Sequence, residues 1–534
     1  MKNTLYYGDN LIVLKEHILD NSIDLIYLDP PFNSKRAYNV LFSTPKGHKS
    51  EAQITAFEDS WTWGDQAEKE YSELLHQSNT YVAEMICSLR SFLKESDVMA
   101  YLVMMSNRLI ELYRVLKPVG SLYLHCDPTA SHYLKLILDT IFGAVNFRSE
   151  IIWRRQNAKG LAFTRFASNH DTIFYYSKTN QRIWNPQYKP HDPKYLKNFY
   201  THIEPETGRI YRLADLTNPN KDRPNLKYEF LGINRVWRWT KDRMQKAYED
   251  GLIIQKKPSS VPQLKRYLDE QEGTPIDDIW DDIKPIQAQS AERLGYPTQK
   301  PLTLLERIIL TSSNPGNVVL DPFCGCGTAI HAAQKNNRNW IGIDITHLAI
   351  GLIERRLQGA FTDTSFMVHG TPIDYDSAVN LAERDKYEFQ YWACNLINAQ
   401  PYQGKKKGAD TGIDGVLYFQ DEKNNTKKII VSVKGGEHVT RTMIADLKNS
   451  VERDKAQIGI FISLVNPTAP MLKEAVSAGF YNSPIGKSFP KIQILTISDL
   501  LTGNKTPQYP DLSRGGLSFK KTKKEYQSEQ PDLF

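Results

Sequence analysis

Short, continuous apolar runs that stop at polar, proline or glycine clusters organise the first two thirds of the chain. Ile23 to Leu28 is one such run, and Asn317 to Leu320 is another. Runs of this length fit parallel strands buried on both faces. Leu302 to Thr311 has helical spacing. Val318-Val319-Leu320-Asp321-Pro322-Phe323 then leads into Gly325-x-Gly327-Thr328 and Ala329-Ile330-His331-Ala332-Ala333, which predicts strand, glycine turn and helix. One strand further on, Trp340-Ile341-Gly342-Ile343-Asp344 ends in an acid. The rhythm changes after Arg356. A helix is expected at Tyr387–Trp392, and a strand at Val416–Phe419 that pairs with Lys428–Lys434. A helix over about Arg441–Arg453 and a strand at Ile458–Ser463 follow. From about residue 503 the chain is polar and lysine-rich and reads as disordered. The pattern predicts an α/β protein with a second, smaller α/β domain.

Composition narrows the class. A chain of 534 residues exceeds one core and implies about two to four domains. Hydrophobic content of 40% and charged content of 24% are those of a globular protein. No apolar run reaches the ~18 residues of a membrane span, and the start lacks the apolar stretch of a signal peptide. Five cysteines without regular spacing imply a reducing compartment, so a cytoplasmic location is expected. Cys324 and Cys326 have no His/Cys group beside them, which argues against a metal there. The net charge of +6 permits nucleic-acid binding without demanding it.

Two motifs carry the chemistry. Asp29-Pro30-Pro31-Phe32 follows the first buried strand. The prolines stiffen the loop, which aims the Asp29 carboxylate and the Pro30 carbonyl at one point. Two converging acceptors suit both hydrogens of an exocyclic amino group, and Phe32 offers a ring face for a base. In the second motif Gly325 and Gly327 allow close backbone approach to a ligand. Asp344, at the next strand end, suits ribose hydroxyls. The spacing is shorter than the dinucleotide fingerprint, which favours a single nucleoside.

Together these residues resemble the beta class of DNA amino-methyltransferases, which use S-adenosylmethionine and carry the catalytic motif ahead of the cofactor motif. Tyr7-Gly8-Asp9, Glu150–Arg155, His170-Asp171, Tyr175–Lys178 and Tyr296-Pro297-Thr298-Gln299-Lys300-Pro301 extend the resemblance over roughly residues 1–365. It implies a Rossmann-like fold acting on double-stranded DNA by base flipping and direct in-line attack. Asp29 and Pro30 would hold the target amino group, Pro31 would complete the catalytic motif, and Phe32 would stack on the flipped base. Asp9, Thr298, Lys300, Asp321, Phe323, Gly325, Gly327 and Asp344 would line the cofactor pocket. A hydroxyl at Thr298 and an ammonium at Lys300 also suit a carboxylate. The Asp-led motif favours adenine, with cytosine as the alternative.

The resemblance divides the chain into a catalytic half (1–178), an insertion (179–285) and a cofactor half (286–365). The insertion mixes basic and aromatic residues and is the expected target-recognition region, with Arg235 and Arg238 as DNA contacts. Arg154, Arg155 and Lys159 form a second basic group near the catalytic strand ends. Residues 366–502 resemble the restriction-endonuclease-like fold of Mrr-type nucleases. Glu388, Asp414 and Lys434 are the candidate site there, with Asp414 as ligand if magnesium binds. Ser432 stands where that family has an acid or Gln, and a hydroxyl is a poor magnesium ligand. A single-chain restriction and modification enzyme is therefore the alternative reading. In the tail (503–534), Gln530-Pro531-Asp532-Leu533-Phe534 resembles the peptide that docks bacterial proteins on the DNA polymerase sliding clamp, through Gln530, Leu533 and Phe534.

Overall fold

The computed structural model describes residues 2–31, 36–43, 49–59, 62–77, 79–156, 163–164, 166–287, 289–290, 292–296, 298–362, 364–402, 412–422, 425–510, 512, 518–519, 522 and 524–525. Phe32, Lys159, Gln530, Leu533 and Phe534 lie outside them. The chain forms two compact units, one of Met1–Asn185 with Asp278–Phe534 and one of Pro186–Asp277.

The larger unit is built on a nine-stranded sheet. Its spatial order is Ile279–Trp280, Phe147–Arg154, His170–Ser177, Leu116–Cys126, Ile23–Leu28, Val318–Asp321, Asn339–Asp344, Thr4–Tyr7 and Met367–His369. His170–Ser177 runs antiparallel to both its neighbours, and the other pairings are parallel. Every residue of Ile23–Leu28 and of Val318–Asp321 is buried, as two-sided cover requires. These two strands are direct neighbours, with Val319 opposite Leu25 and Leu320 opposite Ile26. Segments far apart in sequence thus end side by side. The strand order reverses there, with Ile23–Leu28 continuing to Leu116–Cys126 on one flank and Val318–Asp321 to Asn339–Asp344 on the other, and in open α/β sheets ligands bind in such a crevice. Helix Asp97–Val115 packs across the sheet with Leu102, Val103, Met105, Leu109 and Leu112 in the core.

Residues of the carboxy-terminal domain belong to the same unit. Its five-stranded sheet runs Gln400–Pro401, Gly415–Glu422, Asn425–Lys434, Ile458–Ser463 and Ile492–Thr496. The first pairings are antiparallel and the last two parallel. Helix Lys386–Leu396 covers one face through Phe389, Trp392 and Ala393, and helix Arg441–Arg453 covers the other through Ile444, Leu447 and Val451.

The unit Pro186–Asp277 has its own four-stranded antiparallel sheet: Ile253–Ile254, Gln263–Tyr267, Ile210–Asp215 and His202–Ile203. A hairpin, Lys227–Phe230 with Ile233–Val236, packs Phe230 and Trp237 into a small core with Leu216 and Met244. No helix among the described residues is long and apolar enough to cross a membrane.

Candidate functional site

A cavity of about 250 Å³ opens where Ile23–Leu28, Val318–Asp321 and Asn339–Asp344 end. Its walls include Asp9, Asp29, Pro30, Pro31, Thr298, Lys300, Asp321, Phe323, Gly325 and Asp344. Both motifs therefore contribute to one site.

Asp29 follows strand Ile23–Leu28 and lines the cavity. Its Oδ2 accepts a hydrogen bond from the Lys300 ammonium. Its Oδ1 is buried and has no hydrogen-bond partner among the described residues. Lys300 thus contacts Asp29, a contact its sequence pattern alone does not announce. Thr298, two residues before it, has φ of 61°. A β-branched residue in that region is strained, and such strain concentrates where the surroundings over-determine the backbone.

The glycine turn supplies the second wall. Gly325 has φ of 50°, and a Cβ there would lie 3.2 Å from the Tyr296 ring. Gly327 does not line the cavity. It starts helix Thr328–Lys335 at φ of 72°, and a Cβ there would lie 2.7 Å from Ile353 Cγ1. Gly325 thus borders the cavity, while Gly327 is demanded by packing.

Asp344 is held by its neighbours. Its Oδ2 accepts from the Gly325 N–H at 2.9 Å, and its Oδ1 from the Thr346 N–H and hydroxyl, each at 3.0 Å. Burial still pushes its carboxyl up to about 6. Burial also pushes the Asp321 carboxyl well above the usual range.

Asp9 turns out to be an anchor as well as a wall. It caps helix Asn10–His17 by accepting from the Leu11 and Ile12 N–H groups at 2.8 and 3.3 Å. Arg108 then binds Asp9 Oδ2 at 3.0 Å and Asn10 Oδ1 at 2.6 Å, and Asn10 donates to the Pro322 carbonyl at 2.9 Å. This chain ties the amino terminus to the cofactor strand. Arg108, Tyr27 and Tyr296 line the cavity and were not anticipated. Arg108 carries a readable signal, since an arginine within the apolar helix run Tyr101–Leu112 must find buried partners. Tyr27 carries none, and Tyr296 heads the Tyr296–Pro301 segment that extends the resemblance.

Tyr27 begins a buried polar chain. Its hydroxyl meets His125 Nδ1 at 3.1 Å, and His125 Nε2 meets Asp171 Oδ2 at 3.1 Å. Arg155 pairs with Asp171 at 3.2 Å. Burial opposes the Asp171 charge, but the bond to His125 and the charges of His125, Lys300 and Arg155 outweigh it and hold that carboxyl below its usual range. Arg155 is therefore committed to Asp171, while Arg154 is exposed. Arg235 and Arg238 are exposed on the smaller unit, where the Arg238 Nε donates to the Thr217 carbonyl at 2.9 Å.

In the carboxy-terminal domain Asp414 and Lys434 come together, with Lys434 Nζ 3.7 Å from Asp414 Oδ2. That same oxygen accepts from the Val433 N–H at 2.7 Å and lies 3.4 Å from the Ser432 hydroxyl. Glu388 is not with them. Its Oε2 accepts from the His347 N–H at 2.8 Å, three residues past Asp344. The residue lies at the start of its helix, facing the cofactor half, so the helix acid expected at Asp414 is spent elsewhere. The described residues hold no group of three metal-binding side chains. One carboxylate already engaged by an amide and an ammonium does not fit a divalent cation.

A family described as DNA methylase matches residues 23–355, and one described as restriction endonuclease matches residues 381–480. The chain is 28% identical over 361 residues to the Type II methyltransferase M.EcaI of Enterobacter cloacae, covering 67% of this chain and 69% of that protein. It is 27% identical over 353 residues to the StyLTI Mod subunit of a Type III restriction-modification enzyme of Salmonella typhimurium, covering 63% of this chain and half of that protein. Among solved structures, the M1.HpyAVI–SAM complex aligns at 15% identity with a TM-score of 0.30, covering 66% of this chain and 98% of that one. With the match spanning both motifs and the strands that join them, this chain belongs to the DNA methylase family and carries a restriction-endonuclease-like domain after it.

Proposed function

We propose that this protein transfers a methyl group from S-adenosylmethionine to the exocyclic amino group of adenine in duplex DNA, with the target base turned out of the helix. The observation that carries this reading is the buried Asp29 Oδ1, which faces no donor among the described residues while Lys300 holds the other oxygen. A buried acceptor without a partner costs about 1–3 kcal/mol. An amino group entering beside it would satisfy it.

When bound, S-adenosylmethionine supplies an electrophilic methyl group on a sulfonium. Asp344 would take the ribose hydroxyls, Gly325 would leave room for the nucleoside, and Thr298 lines the same cavity. The cradle fits such a group, since a side chain at position 325 would press on the Tyr296 ring. Asp29 and the Pro30 carbonyl accept the two amino hydrogens, which turns the nitrogen lone pair toward the methyl. The methyl donor would supply the carbon for the new N–C bond as its C–S bond breaks, and Asp29 would take the surplus proton from the nitrogen. Phe32 would stack on the base. Lys300 sets the orientation of the Asp29 carboxylate.

The order of the two motifs supports the permuted class. Adenine is supported by the Asp-led motif and by a segment 45% identical over 82 residues to the DNA adenine methyltransferase YhdJ of Escherichia coli. Arg154, Arg235 and Arg238 are the exposed candidates for phosphate contact. The tail peptide with Gln530, Leu533 and Phe534 remains a proposed tether to the sliding clamp. No cleavage step is assigned to the Asp414 region.

Incubation of duplex DNA with labelled S-adenosylmethionine, followed by nucleoside mass spectrometry, tests the reading. N6-methyladenine is expected, and Asp29→Ala should lose at least 100-fold of the rate, about 2.7 kcal/mol. Methylcytosine alone would overturn the choice of base. Full activity in Asp29→Ala would overturn the catalytic assignment.

A further inference from the structure

Glu388 occupies a place that neither domain explains alone. It stands near the start of helix Lys386–Leu396 in the carboxy-terminal domain, where Asp385 caps the helix by accepting from the Tyr387 and Glu388 N–H groups. Its carboxylate reaches out of that domain to the His347 N–H, which opens helix His347–Ala360. That amide belongs to the segment Asp344–His347, and Asp344, Ile345 and Thr346 all line the cavity.

The contact is part of a wider seam. The His347 ring stacks on Tyr7 with centroids 3.7 Å apart. Tyr7 ends the strand that pairs with Asp344, and the charges of Glu388 and Arg384, both from the carboxy-terminal domain, act on its hydroxyl. One turn along helix Lys386–Leu396, Tyr391 joins Tyr296, Cys326, Leu348, Ala349 and Leu352 in one apolar cluster. Tyr296 is itself a wall of the cavity. At the far end the helices are so close that a Cβ on Gly351 would lie 2.4 Å from Asn395. Arg355 also donates to the Asn395 side chain. The carboxy-terminal domain therefore backs two walls of the cavity, one through Tyr391 on Tyr296 and one through Glu388 on the Asp344 segment.

We infer that the carboxy-terminal domain is a built part of the methyl-donor pocket, with Glu388 as the positioning residue that pins the Asp344–His347 segment from behind. This rests on Asp344 being the nucleoside end of the pocket. The physical argument is that His347 is the first residue of its helix, so its N–H has no intrahelical acceptor. A carboxylate at a helix start satisfies that donor and complements the positive end of the helix dipole. Without it the amide must turn toward another acceptor, and Thr346 and Asp344 move with it. The acid that a nuclease of this fold would turn toward a metal is here turned toward the neighbouring domain.

The test uses the full-length protein and S-adenosylhomocysteine as probe, with affinity measured by calorimetry. Glu388→Ala should weaken binding roughly 10-fold or more, the scale of one charge-assisted hydrogen bond. Glu388→Gln keeps an oxygen acceptor and should restore affinity to within about threefold of the parent. In turnover, KM for the methyl donor should rise while KM for DNA stays put. A Glu388→Ala protein that is less heat-stable but binds the probe normally would overturn the inference, since that is the signature of a purely structural contact. Should that variant not fold, hydrogen exchange on the unaltered protein decides. The probe should protect amides in 386–396 as well as in 344–347, and protection confined to the latter would overturn it. Asp344→Ala separates the two claims. If it binds the probe normally, the pocket reading itself fails. If it loses binding while Glu388→Ala does not, only the role of Glu388 fails.

Discussion

The two glycines of the cofactor turn should respond differently to the same substitution. Gly327→Ala places a methyl group at φ of 72° and 2.7 Å from Ile353 Cγ1, with Cγ2 at 3.2 Å and Cβ at 3.4 Å. The left-handed backbone costs roughly 1–2 kcal/mol for a residue with a Cβ. Pressing that Cβ into a fully buried isoleucine adds about 1–3 kcal/mol of overpacking. The sum is about 2–5 kcal/mol of lost stability, read from urea unfolding followed by tryptophan fluorescence. Gly325→Ala has a similar backbone cost, but its nearest neighbour is the Tyr296 ring at 3.2 Å, which borders open space. The ring can yield into the cavity, so the packing cost is small and the lost space falls on the ligand. Binding of S-adenosylhomocysteine should weaken by at least tenfold, about 1.4 kcal/mol. A double variant, Gly327→Ala with Ile353→Ala, removes the two nearest carbons. It should be less destabilised than the sum of the single variants by about 1–3 kcal/mol. A Gly327→Ala protein within about 0.5 kcal/mol of the parent, the range of an innocuous surface change, would refute the reasoning, as would normal binding by Gly325→Ala.

Arg108→Met should cost about 3–5 kcal/mol in the same unfolding assay, because it leaves the Asp9 and Asn10 oxygens without their buried donor. Burial raises the Asp344 carboxyl to about 6 and the Glu388 carboxyl to about 7. The folded state therefore holds these protons longer than the unfolded chain. Their stabilisation is complete below the unfolded values near 4, is lost as pH rises through about 6 and about 7, and is flat beyond. Denaturant midpoints across that window should fall, and Glu388→Gln should remove the upper part of the fall. Arg235→Ala and Arg238→Ala should each lower the slope of log affinity against log salt for duplex DNA by about 1 in fluorescence anisotropy titrations, while leaving S-adenosylhomocysteine binding unchanged.

Local chemistry made much of the fold and site legible. Pro30 and Pro31 restrict their own backbone, so a rigid acceptor loop after a buried strand is written in neighbouring residues. Gly325 and Gly327 likewise announce a turn before helix Thr328–Lys335. The all-buried strands Ile23–Leu28 and Val318–Asp321 follow from their unbroken apolar runs. What each glycine serves was not legible, because the answer depends on Tyr296 and Ile353, which are neighbours only in space. Arg108 was half legible, since its place in an apolar helix demands partners but does not name Asp9.

By itself, the sequence determined the strand ends, the two motifs, their order and the start of a second domain. Each of these depends on residues within a few positions of one another. Only the tertiary structure decided that Ile23–Leu28 and Val318–Asp321 lie side by side, that Lys300 turns to Asp29, and that Asp414 keeps Lys434 but not Glu388. The physical reason is that pairing between distant segments follows from burying the whole sheet and its helices at once. No window of sequence contains that sum, and a carboxylate such as Glu388 goes to whichever unsatisfied donor the assembled fold brings within reach.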